Sequence, residues 1–141
     1  MKKFELLEHT ADAGVRVFGE STEELFANAA VALFSLMAPA TEAANGLAKT
    51  VSLTAQKLDE LLIAWLNELI ALFYAELFLP AHFSVCLQED GGTIRLSAEL
   101  KGAPYVPGRD SVAMEIKAAT YHGLRVAKTA GGYVAEVIFD V

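Results

Sequence analysis

The chain has 141 residues, a formal net charge of −7 and a sequence pI of about 4.9. With 54% hydrophobic and 21% charged residues, its composition is that of a folded domain and excludes an intrinsically disordered chain. Proteins that hold nucleic-acid backbones normally present a basic face, whereas the 11 Lys and Arg residues here are scattered along an acidic chain. We therefore do not expect tight, direct binding of RNA or DNA.

The apolar pattern predicts two helices among several short strands. The first helix begins at the capping residues Ser21 and Thr22, continues with apolar residues at three- and four-residue spacing, and ends before Pro39. The second helix covers residues 57–79 and ends at Pro80. Alternation and turn signals predict strands at residues 4–8, 15–18, 49–55, 83–88, 93–100, 112–119, 124–128 and 133–140.

These elements indicate the α+β class. The strands outnumber the helices, and the late strands are joined by Gly-containing turns that are typical of hairpins. We expect one domain spanning residues 1–141, in which a largely antiparallel sheet packs with two main helices. No internal repeat or linker divides the chain.

The sequence favours a cytoplasmic protein. Acidic residues occur too early at the N-terminus for a secretory signal, and the longest apolar stretch, residues 61–79, is interrupted by polar residues and does not read as a membrane span. Cys86 is the only cysteine, so an internal disulfide is excluded. Because it lies in an apolar run, we expect Cys86 to be a small buried residue.

Oxygen-bearing groups near the two ends of the chain form a candidate cation site. Asp140 and Val141 follow directly on the apolar run of the last predicted strand, which places a terminal carboxylate beside Asp140. If the fold brings Asp12 to the same edge, these three residues would suit a hard cation such as Ca²⁺ or Mg²⁺. Three protein ligands leave coordination positions open, so binding should be weak until a partner or phosphate completes it. The alternative for Asp12 is a turn-stabilising role before Ala-Gly.

Three further polar side chains are candidates for contacts with a ligand. Lys117 falls on the polar face of the strand predicted at residues 112–119, where the alternative is a solvated lysine; beside the acidic residues it could bind a phosphate or a partner's carboxylate. His9 and His122 could form a transition-metal site with Asp12, although no HxxxH or HExxH spacing supports it. The chain contains no GxSxG, P-loop or GxGxxG motif, so no complete catalytic apparatus is visible.

Five short motifs, in the same order along the chain, resemble the archease family. The resemblance runs from end to end and includes no additional domain. The motifs are His9-Thr10-Ala11-Asp12-Ala13-Gly14, the helix from Glu24-Leu25-Phe26 to Ala32-Leu33-Phe34, Trp65-Leu66-Asn67-Glu68-Leu69, Glu115-Ile116-Lys117-Ala118-Ala119-Thr120-Tyr121-His122 and Val137-Ile138-Phe139-Asp140-Val141.

The resemblance implies an accessory protein of the RtcB-type RNA ligase, the GTP-dependent enzyme that joins tRNA exon halves and other broken RNAs. Such a protein promotes guanylylation of the ligase's active-site histidine and sustains multiple turnover, and is not itself an enzyme. The family's metal site, associated with Ca²⁺, falls on Asp12, Asp140 and Val141. Lys117 matches the family's lysine ahead of Thr-Tyr-His. With His9 and His122, it is an expected contact of the partner or its nucleotide.

Two other function classes remain open from the sequence. A stand-alone metal-dependent hydrolase would turn over a small phosphate ester without a partner and would contain a transition metal. A general protein chaperone or scaffold would expose apolar surface and suppress the aggregation of unrelated proteins.

Overall fold

The computed structural model describes residues 2–7, 12–39 and 46–141 and contains two helices and seven strands within them. Each element follows from a local pattern of apolar residues with turn or capping residues at its ends. In chain order the elements are β1 (Phe4–Leu7), β2 (Ala13–Gly19), α1 (Thr22–Met37), β3 (Leu47–Ala55), α2 (Leu58–Glu76), β4 (Phe78–Asp90), β5 (Thr93–Pro104), β6 (Ala118–Thr129) and β7 (Gly132–Asp140).

The strands form two sheets. One has four strands in the order β1-β2-β7-β6, and the other has three in the order β3-β5-β4. All five pairings between these strands are antiparallel. The prediction of an α+β domain with antiparallel strands and two helices is confirmed, with the strands divided between two sheets.

The two helices bridge the sheets and complete the core. Helix α1 contacts β2 and β7 of the larger sheet and β4 of the smaller one, whereas α2 contacts β6 and β3. The helices are joined at the centre, where the fully buried Trp65 donates from Nε1 to the carbonyl oxygen of Phe26 at 2.9 Å. One cluster of buried apolar side chains includes residues of both helices and both sheets. Burying each large side chain of this kind contributes about 1.5–3 kcal/mol.

Helix α1 begins and ends where the sequence predicts. The Ser21 hydroxyl accepts from the Glu24 backbone N–H at 3.1 Å, and the Glu24 carboxylate accepts from the Glu20 N–H at 3.1 Å. These two bonds give partners to the Glu24 N–H in the first turn and to the Glu20 N–H just before the helix. The helix ends at Met37, two residues before Pro39, as expected for a residue that cannot continue it.

The predicted end of α2 is wrong. The helix stops at Glu76, because Leu77 adopts a left-handed backbone conformation with φ 49°, and the chain then enters β4. Pro80 therefore lies inside a strand, beside a register shift between Pro80 and His82. A proline is tolerated there because β4 is an edge strand and needs no N–H on its outer side.

Two predictions about the later strands also need correction. Residues 112–117 form no strand; instead the N–H groups of Ala113 and Met114 donate to the carbonyl oxygen of Met37 at 2.8 and 3.4 Å. The strand begins at Ala118 and runs to Thr129. It therefore combines the end of the strand predicted at residues 112–119 with the strand predicted at residues 124–128. Cys86 is exposed rather than buried, because alternation along β4 directs it to the open face of the three-stranded sheet.

Candidate functional site

The ends of three adjacent strands meet where β7 finishes, at one end of the four-stranded sheet. The last pair between β2 and β7 is Ala13 with Phe139, so Asp12 and Asp140 are the next residues outward on these two strands. Directly opposed residues of an antiparallel pair project to the same face of the sheet. We call Asp12, Asp140 and Val141 the acidic rim; the strand register brings these three predicted residues to one place.

The outward position of Asp140 follows from alternation along β7. Val137 and Phe139 are fully buried against the helices, whereas Asp140 is exposed. Asp12 is partly exposed and Val141 is 39% exposed. The rim therefore offers oxygen atoms to solvent at the end of a sheet whose other face is fixed by the core.

Lys117 joins the rim from the other side of β7. Ala118 pairs with Asp140, and the N–H of Lys117 donates to the carbonyl oxygen of Asp140 at 2.8 Å. Lys117 is exposed and lies at the position next to Val141. The structure thus places Asp12, Asp140 and Val141 at neighbouring strand ends and joins the backbone of Lys117 to Asp140, although Lys117 lies just before β6 and not inside a strand as predicted.

His122 lies farther along β6, in a wide irregularity of the strand. Thr120 pairs with Ile138 and Arg125 with Glu136, so residues 121–124 together face the single residue between them on β7. Gly123 has φ 65° within this segment, and His122 is exposed beside Tyr121, which is 61% exposed. The register places His122 beyond Thr120 and not in the rim itself. His9 lies outside the described residues.

A network of ion pairs occupies the middle of the same face. Arg16 contacts Glu136 at 2.7 Å and Glu5 at 3.2 Å. These carboxylates, Glu136 first, raise the pKa of Arg16, and the hydrogen bond from Lys2, followed by that from Arg16, lowers the pKa of Glu5. Because both carboxylates bind Arg16, the negative charge of Glu5 and Glu136 is compensated within this network and not at the acidic rim.

The donor atoms of the rim are oxygens, the type of ligand that hard cations bind. Within residues 2–7, 12–39 and 46–141, no group of three or more His, Cys, Asp and Glu side chains is arranged to hold a metal ion. The rim provides two aspartate side chains and the oxygen atoms of Val141, and oxygen-only ligands are those that Ca²⁺ and Mg²⁺ prefer. Such a site would be open on the solvent side, where a partner could add ligands.

Asn67 of α2 is a contact that the sequence reasoning missed. Its Oδ1 accepts from the Ala119 N–H at 2.8 Å, and its Nδ2 donates to the Ala119 carbonyl oxygen at 3.2 Å. In the sequence, Asn67 stood out only as a member of the motif from Trp65 to Leu69 and as a polar residue within an apolar helix segment. A polar residue in that position, in a stretch that packs against a sheet edge, is the signal that could have indicated it.

Comparison with known proteins identifies the family. A sequence profile of the Archease protein family (MTH1598/TM1083) matches residues 4–141. The chain belongs to the archease family. It is 38% identical over 141 residues to the protein archease of Methanosarcina mazei, with 99% of this chain and 97% of the relative covered. It is 30% identical over 141 residues to the protein archease of Sulfurisphaera tokodaii, with both chains fully covered.

A solved structure supports the archease assignment at the level of the fold. The solution structure of Methanobacterium thermoautotrophicum protein 1598 superposes with a TM-score of 0.90, at 32% sequence identity and with both chains covered over their full length. The resemblance of the five motifs to archease is therefore confirmed. Neither helix in the described part of the chain is long and apolar enough to cross a membrane.

Proposed function

We propose that this archease-family chain is an activator of an RtcB-type RNA ligase in the cytoplasm, and that it promotes GTP-dependent guanylylation and multiple turnover in tRNA splicing and RNA repair without being an enzyme. The observation that carries the proposal is the register of β2, β7 and β6, which brings Asp12, Asp140 and Val141 beside Lys117. These are the positions that match the family's metal site and its lysine.

The acidic rim would bind a divalent cation, Ca²⁺ in our proposal, through the side chains of Asp12 and Asp140 and an oxygen of Val141. Because the rim lies at the open end of a sheet, the cation would keep coordination positions for water or for groups of the ligase. Hard cations bind phosphate oxygens in the same way. The rim could therefore place a cation against the GTP phosphates in the ligase active site.

Lys117, which is joined to Asp140 through its backbone, would supply the opposite charge. Nucleotidyl and phosphoryl transfer depend mainly on positioning and on compensation of phosphate charge. A cation held by Asp12 and Asp140, with the ammonium group of Lys117 beside it, would provide both. His122, and His9 outside the described residues, are further candidates for contact with the ligase or its nucleotide.

The acidic character of the chain is consistent with a protein partner and not with RNA as its primary target. At a net charge of −7, the chain as a whole would be repelled by a phosphate backbone. The RNA would be held by the ligase, and this chain would act on the enzyme's nucleotide step.

The proposal is tested by multiple-turnover ligation with the cognate ligase, GTP and divalent metal. The RNA substrate carries a 3′-phosphate on one fragment and a 5′-hydroxyl on the other. We expect the wild-type chain to restore turnover, Asp12→Asn to lose this effect, and Asp90→Asn, at the exposed end of β4 outside the rim, to keep it. An unstimulated ligase with the wild-type chain, or full stimulation by Asp12→Asn, would contradict the proposal.

A further inference from the structure

Strand β6 is an edge strand, and its outer side at Ala119 is hydrogen-bonded by a side chain and not by another strand. Among the described residues the sheet order ends at β6, so within that part of the chain no strand binds the N–H and carbonyl groups on that side. Asn67 binds both of these groups of Ala119. A carboxamide offers the same donor and acceptor as a peptide group. Asn67 therefore supplies, for Ala119 alone, the two hydrogen bonds that a fifth strand would supply along the edge of the sheet.

The orientation of the Asn67 amide is dictated by its two contacts. Ala119 presents a donor and an acceptor together, and only one placement of Oδ1 and Nδ2 satisfies both. Ala119 is 5% exposed in the intact chain, and on this side its N–H and carbonyl groups are hydrogen-bonded by Asn67. A buried peptide group without partners costs about 1–3 kcal/mol, and the segment would shift toward solvent to recover hydrogen bonds.

The bond to Asn67 lies between two bonds that join the same segment to β7. Before Ala119, the Lys117 N–H binds the Asp140 carbonyl oxygen. After it, the Thr120 hydroxyl donates to the carbonyl oxygen of Ile138 at 2.9 Å. Directly beyond Thr120 the register with β7 is lost until Arg125. Asn67 thus holds the segment from the helix side at the last regular pairs before the irregularity.

We propose that Asn67 is a positioning residue for the rim. By fixing Ala119 between helix α2 and strand β7, it sets where Lys117 stands relative to Asp140 and where residues 121–124, with His122, leave the sheet. The consequence for cation and ligase binding rests on the proposed function, whereas the effect on the geometry of the segment does not.

An asparagine of the other helix provides a matched control. Asn28 of α1 is 7% exposed and donates from Nδ2 to the carbonyl oxygen of Phe18 at 2.8 Å. Phe18 lies at the end of β2 that is remote from Asp12. Asn67→Asp and Asn28→Asp each remove one donor from a helix-to-strand hydrogen bond at nearly constant size, but only the first acts on the segment beside the rim.

The experiment compares the two variants with the wild-type chain by ¹H–¹⁵N NMR, Ca²⁺ titration and urea unfolding. We expect both variants to lose stability. Asn67→Asp should displace the amide resonances of Lys117 and His122 and weaken Ca²⁺ binding about 10-fold, the usual order for loss of a residue that orients a ligand. Asn28→Asp should leave these resonances and the Ca²⁺ affinity at wild-type values. If Asn67→Asp does not fold, the shorter, uncharged Asn67→Ser is compared in the same way.

The outcomes separate this inference from the proposed function. Wild-type resonances for Lys117 and His122 in the Asn67 variant would overturn the positioning role, as would equal displacement of these resonances in the Asn28 variant. If the wild-type chain binds no Ca²⁺ and does not stimulate the ligase, the proposed function fails. The NMR comparison would still decide whether Asn67 positions the segment.

Discussion

The backbone N–H of Lys117 donates to the carbonyl oxygen of Asp140 at 2.8 Å, so the two residues of opposite charge are tied together through main-chain atoms. Neither side chain takes part in this bond. Substitution of either side chain therefore leaves the connection between β7 and the segment before β6 in place. The charges of the rim can be changed one at a time without removing the framework that holds them.

Lys117→Met should abolish most of the stimulation of the ligase while the fold and cation binding persist. The substitution keeps the main-chain bond to Asp140 and an unbranched, slightly shorter side chain, and removes the positive charge. Because Lys117 is exposed, its loss should change the free energy of unfolding by less than about 0.5 kcal/mol. Multiple-turnover ligation gives the functional result, and urea unfolding gives the stability.

Lys128→Met is the matched control for Lys117. Lys128 is likewise an exposed lysine, but it lies within β6 and pairs with Tyr133 at the far end of the hairpin. We expect Lys128→Met to stimulate the ligase like the wild-type chain. Equal losses in the two variants would mean that the net charge of the chain matters and the position of Lys117 does not.

Ca²⁺ should stabilise the chain through the rim. A ligand that binds only the folded state at about 100 times its dissociation constant raises the free energy of unfolding by about 2.7 kcal/mol, which increases Tm by several degrees. Asp140→Asn removes one of the two aspartate ligands and should eliminate the shift, and a chelator should reverse it in the wild-type chain. Differential scanning calorimetry measures this; a Tm that is insensitive to Ca²⁺ in the wild-type chain would contradict the proposed site.

The parts of the fold that depend on local signals were predictable from the sequence. Helix α1 is bounded by Ser21 and Pro39, and both signals act within a few residues of the helix end. The end of α2 was missed because Leu77 reverses the backbone three residues before Pro80, and nothing in its side chain requires this. The strand predicted at residues 112–117 failed because Met37, distant in sequence, accepts the hydrogen bonds that a neighbouring strand would otherwise accept.

The residues of the candidate site also differ in whether local sequence patterns could predict their positions. Alternation along β7 is a local pattern, and it is sufficient to place Asp140 on the face opposite the buried Val137 and Phe139. The placement of Asp12 beside Asp140 depends on the order β2-β7-β6, which alternation does not contain. The expectation that Asp12 and Asp140 share one site came from the resemblance to archease. The role of Asn67 could not be predicted because its partner, Ala119, is 52 residues away in sequence and is bound through its backbone.

Gly102→Ala should be strongly destabilising. A Cβ atom at Gly102 would overlap the carbonyl oxygen of Leu79 and approach the Cα of Pro80 to 2.7 Å, so β4 and β5 could not remain at their present separation. Overpacking against backbone costs about 1–3 kcal/mol and occasionally more. Urea unfolding measures the change. Gly46→Ala, where a Cβ would have no neighbour within 4 Å, is the control and should be neutral; equal stabilities of the two variants would show that the strands can separate freely.

Acidification should loosen the segment around Asp110 below about pH 4. The side chain of Asp110 is 8% exposed, contacts Arg109 at 3.0 Å and accepts from the Val106 N–H at 2.8 Å. Arg109 first, and then the Val106 N–H, lower the pKa of Asp110. Because the pKa in the folded state lies below the ordinary aspartate value near 3.9, the contribution of the carboxylate is complete above that value. It is lost as the pH falls through the lowered pKa.

An NMR titration of the Val106 and Asp110 amides tests whether protonation of Asp110 loosens the segment as the pH falls. Their resonances should stay constant from neutral pH down to about pH 4 and move only below it, because the lowered pKa of Asp110 confines protonation to that range. The amide of Leu96, buried in the middle of β5, reports whether the whole domain unfolds over the same range. Movement of the Val106 resonance near neutral pH would show that protonation of Asp110 does not control the segment, since an aspartate with a lowered pKa is fully ionised there.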